Sequence, residues 1–370
     1  MLRTPDVLVV GGGVIGCAVA RALAADGRRV LCVDRGAIGG EASSAAAGVL
    51  AVASGEDDGA RLRLRRASLA RFPALVAALA EESGLDVEWE TRGVLQLALD
   101  DAEAAAAPAR IAARRADGLR AEWLDRQTLA AAEPAANPAA RGGVLFPDDA
   151  QVLPARLVAA LAAAARRHGA EVVAGAEVRA AERAGDRLVR VRVNAESISP
   201  GVVVLAAGAW APRVPDVAPS LSVVPARGQM AALRPAAPLC THVLAHGDDY
   251  LVPRRSGEVW VGATVEDAGF EKAVTPEGLA ALAAKAGRLA PAAATAPVAR
   301  VWAGLRPYAP GGGPIVGRAV DTSNLVVACG HHRNGILLAP ITADVVAALV
   351  AGRTPPAEAA DFLPAAGRAA

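Results

Sequence analysis

Three glycines, Gly11, Gly13 and Gly16, stand between an unbroken apolar run and a helical pattern, and they constrain this chain more than any other feature. Val7 to Val10 contains no polar residue, as a strand covered on both faces requires. Ile15, Ala18, Val19, Ala22 and Leu23 then recur at helical spacing, Gly27 stops the helix, and Val30 to Val33 forms a second strand ending at Asp34. This is a βαβ unit with a dinucleotide fingerprint in its first turn. Gly11 permits the tight turn, Gly13 lets a pyrophosphate approach the backbone, and Gly16 lets helix and strand pack closely. The helix N-terminus offers N–H groups and partial positive charge to phosphate. Asp34 is placed to accept from a ribose diol and would repel a 2′-phosphate, which disfavours NADP.

The fingerprint alone does not separate FAD from NAD. Two later stretches favour FAD. Gly39 to Leu50 is long, small and uncharged apart from Glu41, as backbone lying against a flat ring requires. Gly330 to Gly335 joins a late strand to a late helix, giving a second helix N-terminus able to stabilise negative charge on a reduced flavin.

Between these elements the pattern changes. Arg61 to Glu82 reads as helical, Gly93 to Leu97 as a strand, Asp101 to Ala116 as a helix despite Pro108, and Gly143 to Phe146 as a strand. A helix follows Pro154, short strands with turns at Gly175 and Gly185 fill Val172 to Val193, and Val202 to Leu205 is another fully apolar strand. Val223 to Val265 alternates like β-structure, with a hairpin signal at Ser256–Gly257. A helix from Pro276, strands at Val298 to Leu305 and Leu325 to Val327, and a helix over Ile336 to Leu349 complete the chain. With 370 residues there is material for two cores. The expected architecture is α/β: a discontinuous Rossmann-like domain at 1–84, 140–220 and 306–370, with an inserted antiparallel-sheet α+β substrate domain at 85–139 and 221–305.

Charge excludes some functions. There are 39 basic and 38 acidic residues, net +1, so no strong field favours nucleic acid or an anionic surface. Lys272 and Lys285 are the only lysines, and the resulting abundance of arginine carries no weight by itself. Cys17, Cys32, Cys240 and Cys329 are scattered, without a C-x-x-C pair, and read as buried thiols of a cytoplasmic protein. His242 and His246 lack helical context and an acidic third ligand, so no metal site is expected. The apolar stretch Val7 to Ala20 is broken by glycines and too short for a span, which takes about 20 residues, so no integral membrane segment is expected.

Seven stretches together resemble the D-amino-acid-oxidase-type FAD oxidoreductases, and among them the glycine oxidases of thiamine biosynthesis. They are VLVVGGGVIG (7–16), GGEASSAAAGVL (39–50), VVLAAGAW (203–210), YLVPR (250–254), VGAT (261–264), WAGLRP (302–307) and GHHRNGILLAP (330–340). The resemblance implies non-covalent FAD. It places Val14 and Ile15 at the fingerprint, Asp34 and Arg35 at the end of the second strand, and Ala42, Ser43, Ala47, Gly48 and Val49 against the cofactor. Val178 would lie beside the adenine. His331, His332 and Arg333, with Asn334, Gly335, Ile336 and Leu337 after them, would line the flavin. Where the family often has Met, this chain has Val49, and the types at Asp34 and Arg35 vary within such proteins.

The implied reaction is oxidation of a small amino acid with O₂ as acceptor, by hydride transfer from Cα to flavin N5, in a homo-oligomer. The substrate carboxylate would be held by Arg306, with Tyr250 and Arg333 nearby. A guanidinium clasps a carboxylate in a way an ammonium does not. His331 and His332 are read as contributing backbone rather than base catalysis, because hydride transfer needs positioning more than a base. A sarcosine oxidase, a D-amino acid dehydrogenase and a flavoprotein without catalysis remain open beside glycine oxidase. No cysteine lies at Gly304 to Pro310, where sarcosine oxidases of this type often tether flavin.

Overall fold

The computed structural model describes residues 1–55 and 59–363. Residues 56–58 and 364–370, assigned from sequence to the cofactor-binding unit, lie outside that range. A six-stranded sheet runs in the order Ile315–Arg318, Leu325–Cys329, Val202–Leu205, Val7–Val10, Val30–Val33, Glu171–Val173. Its strands are parallel except the first, which pairs antiparallel with Leu325–Cys329. The strands come from three separated parts of the sequence, as the scattered apolar runs implied.

The apolar runs are explained by what covers them. Val7, Val9, Val30, Cys32 and Val204 face a core shared with helices Val14–Ala25, Pro154–Arg167 and Gly335–Val350. Leu8, Val10, Leu31, Val33 and Val203 face the opposite core, against the meander Val178–Ala184, Arg187–Val193 and Glu196–Ile198. Both faces are dry, so alternation disappears. Helix Gly335–Val350 is apolar apart from Thr342 and the exposed Asp344 and, with the three residues before it, long enough to cross a membrane. It sits against helices Val14–Ala25 and Gly59–Leu69, with most residues from Ile336 to Ala348 buried, as a core helix does.

The second sheet has eight strands, in the order Val298–Tyr308, Val224–Leu233, Val259–Gly262, Asp249–Pro253, Val243–His246, Val94–Ala98, Gly142–Phe146, Glu122–Asp125. Two details were not legible beforehand. The sheet is not wholly antiparallel, because Val243–His246 runs parallel to Val94–Ala98. The divisions expected at 140 and at 305/306 also fall beside or within strands of this sheet. Strand Gly142–Phe146 pairs with Val94–Ala98 in this sheet, and Arg306 belongs to the continuous strand Val298–Tyr308. An apolar strand read alone does not say which sheet it will join.

Helical readings hold with one exception. Arg61 to Glu82 is two helices, Gly59–Leu69 and Phe72–Ser83, because Pro73 in the first turn of the second cannot continue the first. Helix Asp101–Ala116 keeps Pro108 inside and is capped by Asp100, which accepts from Glu103 N at 2.8 Å.

Candidate active site

The two sheets meet at a cavity of about 300 Å³ that runs from Asp34 and Val178, past the glycine turn, to Tyr250, Arg306 and Arg333. Local backbone explains its first half. Gly11 has φ +111°, and a Cβ there would sit 2.4 Å from Ala206 O on the neighbouring strand's exit. A Cβ at Gly16 would lie 1.8 Å from Gly11 O, so only glycine lets this helix start so close to its strand. At Gly13 the Cβ position meets Ser43 Oγ alone, at 3.1 Å, and otherwise opens onto the cavity. The N–H groups of Val14, Ile15 and Gly16 have no partner within helix Val14–Ala25, whose first backbone bond runs from Cys17 N to Gly13 O at 2.9 Å. Ser43 Oγ accepts from one of them, Val14 N, at 2.9 Å. Asp34 accepts from Gly12 N at 2.7 Å and Gly36 N at 2.8 Å, which fixes its carboxylate at the end of the second strand.

Small residues build the middle. Short helix Ala42–Ala45 lies on strand Val298–Tyr308 so closely that a Cβ on Gly304 would come 2.5 Å from Ala45 Cβ. Trp302 Nε1 donates to Ala45 O at 3.0 Å and fastens the contact. Gly48 has φ +76° and its Cβ position falls 2.2 Å from Val152 O. The buried Arg254 guanidinium donates to Ala47 O and to Val152 O, and lies 4.1 Å from the centre of the Trp260 ring. Burial lowers its pKa to about 10.

The far end is built across the eight-stranded sheet. Arg306 and Tyr250 stand on strands separated by two others, Val224–Leu233 and Val259–Gly262. Each side chain reaches inward over a glycine. A Cβ at Gly228 would lie 2.2 Å from Arg306 Nη1, and one at Gly262 would lie 2.5 Å from the Tyr250 hydroxyl. The guanidinium and phenol therefore converge from opposite sides. Burial raises the Tyr250 pKa, opposed by Arg306 and Arg333, and burial lowers that of Arg306. Arg306 Nη1 also donates to Thr264 O at 3.1 Å, and among the described residues no carboxylate forms an ion pair with it. Arg333 is clasped by Asp248, at 2.5 Å and 3.2 Å.

The loop before the last helix closes this end. Gly330 has φ +74° and His332 φ +48°, an uncommon backbone for a non-glycine residue. Its ring meets Tyr308 edge-on, 5.1 Å between centres. His331 is fully enclosed and pairs with Thr342 Oγ1 at 3.0 Å. Burial brings both imidazoles to a pKa of about 4, with Arg333 and Arg306 adding to the effect at His332. His242 and His246 each pair with a different carboxylate, Glu133 and Glu103.

The structure brings most of the expected residues together. Three do not line the cavity. Gly16 packs helix on strand, Asn334 precedes the last helix, and Leu337 is core, its carbonyl accepting from Ser68 Oγ at 2.6 Å. Several lining residues were not anticipated. Trp210 and Arg213 are two of them: the Trp210 ring centre lies 4.3 Å from the expected Arg35 and the ring meets Phe270, which Arg213 covers at 3.7 Å. Trp210 was visible in the 203–210 motif, whereas Gly228 and Asp248 carried no local signal. Cys329 also lines the cavity, and burial pushes its thiol up to about 12.

The residues fit FAD. The glycine turn leaves room for a pyrophosphate, Asp34 sits where a ribose would be held, and Ala42–Val49 with the 330–336 loop gives a wall of small residues and backbone. Residues 6–349 match the model of the family described as FAD dependent oxidoreductase. The chain is 32% identical over 403 residues to hydrogen cyanide synthase subunit HcnC of Pseudomonas aeruginosa, covering 99% of this chain and 97% of the other. It is 36% identical over 362 residues to glycine oxidase of the same organism, covering 97% and 98%. The crystal structure of glycine oxidase from Geobacillus kaustophilus superposes with TM-score 0.92 at 33% identity, covering 98% of each chain. The chain thus belongs to the family of FAD-dependent oxidoreductases.

Proposed function

We propose that the chain is an oxidase of a small amino acid, with glycine as its first substrate, that binds FAD without a covalent link. The observation that carries this reading is the Arg306 guanidinium, desolvated and without an ion-pair partner among the described residues, facing Tyr250 where the cavity meets the 330–336 loop. A desolvated cation without a counter-charge is unfavourable, and an incoming carboxylate relieves it. Arg306 holds the carboxylate through its fork of N–H donors, and the Tyr250 O–H adds a donor from the other side. Both side chains lie over glycines, so the space between them takes a small substrate. Arg333 lines the same end and acts through its pair with Asp248.

Bound FAD would supply a two-electron acceptor for oxidation of the C–N bond, with O₂ as the final acceptor and H₂O₂ as its product. The chain itself positions. His331 and His332, with pKa values near 4, are neutral and weakly basic at pH 7 and are poor proton acceptors. The amine must arrive unprotonated. The imine product serves thiazole formation in thiamine synthesis or hydrolyses to glyoxylate and ammonia, in line with the resemblance to glycine oxidases of that pathway.

The test is a substrate panel of glycine, sarcosine and small D-amino acids, read by flavin bleaching and peroxide release. Peroxide with glycine supports the proposal, and silence with the whole panel defeats it. Reduction of a dye without O₂ consumption would make the protein a dehydrogenase. Flavin that stays with acid-precipitated protein would contradict the non-covalent link. Rescue of a thiamine auxotroph lacking glycine oxidase tests the thiazole role.

A further inference from the structure

The Arg306 guanidinium is held by a backbone group that no sheet ladder fixes. Arg306 Nη1 donates to Thr264 O at 3.1 Å. Thr264 lies between the end of strand Val259–Gly262 and Glu266, which bridges to Arg227. Ala231 pairs with Val261, and Arg227 with Glu266; four steps separate the first member of each pair and five the second, so one extra residue bulges beside the anchor. Side chains supply what the ladder lacks there. Thr264 Oγ1 accepts from Gln229 N at 2.8 Å and donates to Glu266 Oε1. Glu266 also accepts from Gln229 Nε2 at 2.9 Å and from Arg227 Nε at 3.0 Å. Burial raises the Glu266 pKa, but the bonds from Thr264, Arg227 and Gln229 outweigh burial and hold it below the usual range. The carboxylate is thus an acceptor, and the Thr264 hydroxyl must point its proton at it. Gln229 is fully buried, and its amide oxygen accepts from Thr275 N at 2.8 Å at the start of helix Pro276–Leu289. Arg227 and Gln229 flank Gly228, the residue that Arg306 lies over, so strand alternation places this polar cluster on the opposite face of the sheet.

We infer that Thr264 and Glu266 are positioning residues for Arg306: from the far face of the sheet the Glu266 carboxylate fixes the Thr264 hydroxyl, and this turns the Thr264 carbonyl towards the guanidinium. This rests on the amino acid oxidase reading above, in which Arg306 holds the substrate carboxylate, and deepens it. Neither residue lines the cavity, so both act through that carbonyl. One N–H tied to Thr264 O fixes the fork at one corner and leaves its other donors to meet a carboxylate. Without the tie, a long side chain over a glycine is free to swing, and a shift of about 1 Å is costly where a substrate is positioned.

The experiment titrates the FAD-loaded protein with acetate, a carboxylate without an amine, following the flavin absorption spectrum. Thr264→Val keeps the shape of the side chain and loses the hydroxyl. It should raise the acetate Kd and the KM for glycine about tenfold each, with kcat within about threefold and FAD retained, as loss of uniform binding requires. Thr264→Ser restores the hydroxyl and should bring both constants back to within about threefold of the wild-type values. Glu266→Gln should raise the acetate Kd about threefold or more, and it carries the test if Thr264→Val does not fold. An unchanged acetate Kd in either folded variant overturns the inference, and a lowered Tm beside that unchanged Kd would assign the cluster to stability alone. A wild-type protein that does not bind acetate overturns it too. Because the titration needs no turnover, a protein that binds acetate in this Thr264-dependent way but leaves glycine and sarcosine untouched would sink the oxidase reading and leave the positioning role in place.

Discussion

Gly228 and Gly262 shape the substrate site as much as the side chains they accommodate. Arg306 and Tyr250 lie flat across the sheet only because the intervening strands lack Cβ atoms at those two positions. Gly228→Ala should displace the Arg306 guanidinium and raise KM for glycine about tenfold, with the flavin spectrum retained, since a misplacement of about 1 Å is costly at a reacting centre. A normal KM in that variant would mean that Arg306 does not hold the carboxylate. Arg306→Ala should raise KM further, by about a hundredfold, as loss of a charge-assisted contact of about 3 kcal/mol implies. Loss of bound flavin in Arg306→Ala would instead assign the residue a structural role. Both changes leave the glycine turn untouched, so flavin absorbance separates substrate effects from cofactor effects.

At the scale of elements, the first helix and the last helix start beside the same cavity, and both starts depend on glycines. Gly16→Val is the sharpest test of the first. Its Cβ would overlap Gly11 O, and nothing in a turn between a buried strand and a buried helix has room to yield. The variant should lose FAD, and its folded yield should drop, read by absorbance of the purified protein. An FAD-replete Gly16→Val protein would show that the fingerprint does not form the tight packing described. The 330–335 loop was legible as a turn from its glycines, but the left-handed backbone at His332 was not, because that conformation is held by packing on Tyr308. The break between Gly59–Leu69 and Phe72–Ser83 was likewise missed in a run of helix-forming residues, although Pro73 marked it.

For the whole molecule, the cavity draws on residues from Val10 to Ile336, so FAD joins parts of the chain that meet only in the folded state. Free FAD at a hundredfold excess over Kd should stabilise the apoprotein by about 2.7 kcal/mol and raise Tm by about 3 °C. A Tm independent of FAD concentration would contradict cofactor binding by the native fold. Acid stability should report His331. Its folded pKa of about 4 lies below the unfolded value of 6.5, so its neutral form favours the fold fully above pH 6.5. That contribution is lost as pH falls from 6.5 towards 4, up to about 3 kcal/mol. The urea midpoint should therefore fall less over this range in His331→Gln than in the wild-type protein. Equal slopes would mean that the imidazole is exposed or already protonated. By itself the sequence determined the cofactor half: the glycine turn, both flanking strands, Asp34 and the late glycine loop are all contained in short segments whose geometry is local. Only the tertiary structure decided the substrate half, where strand order and register bring Arg306, Tyr250 and Asp248 together. Register is a pairing between distant segments, and no local pattern records that Arg306 will lie over Gly228, or that Asp248 will meet Arg333.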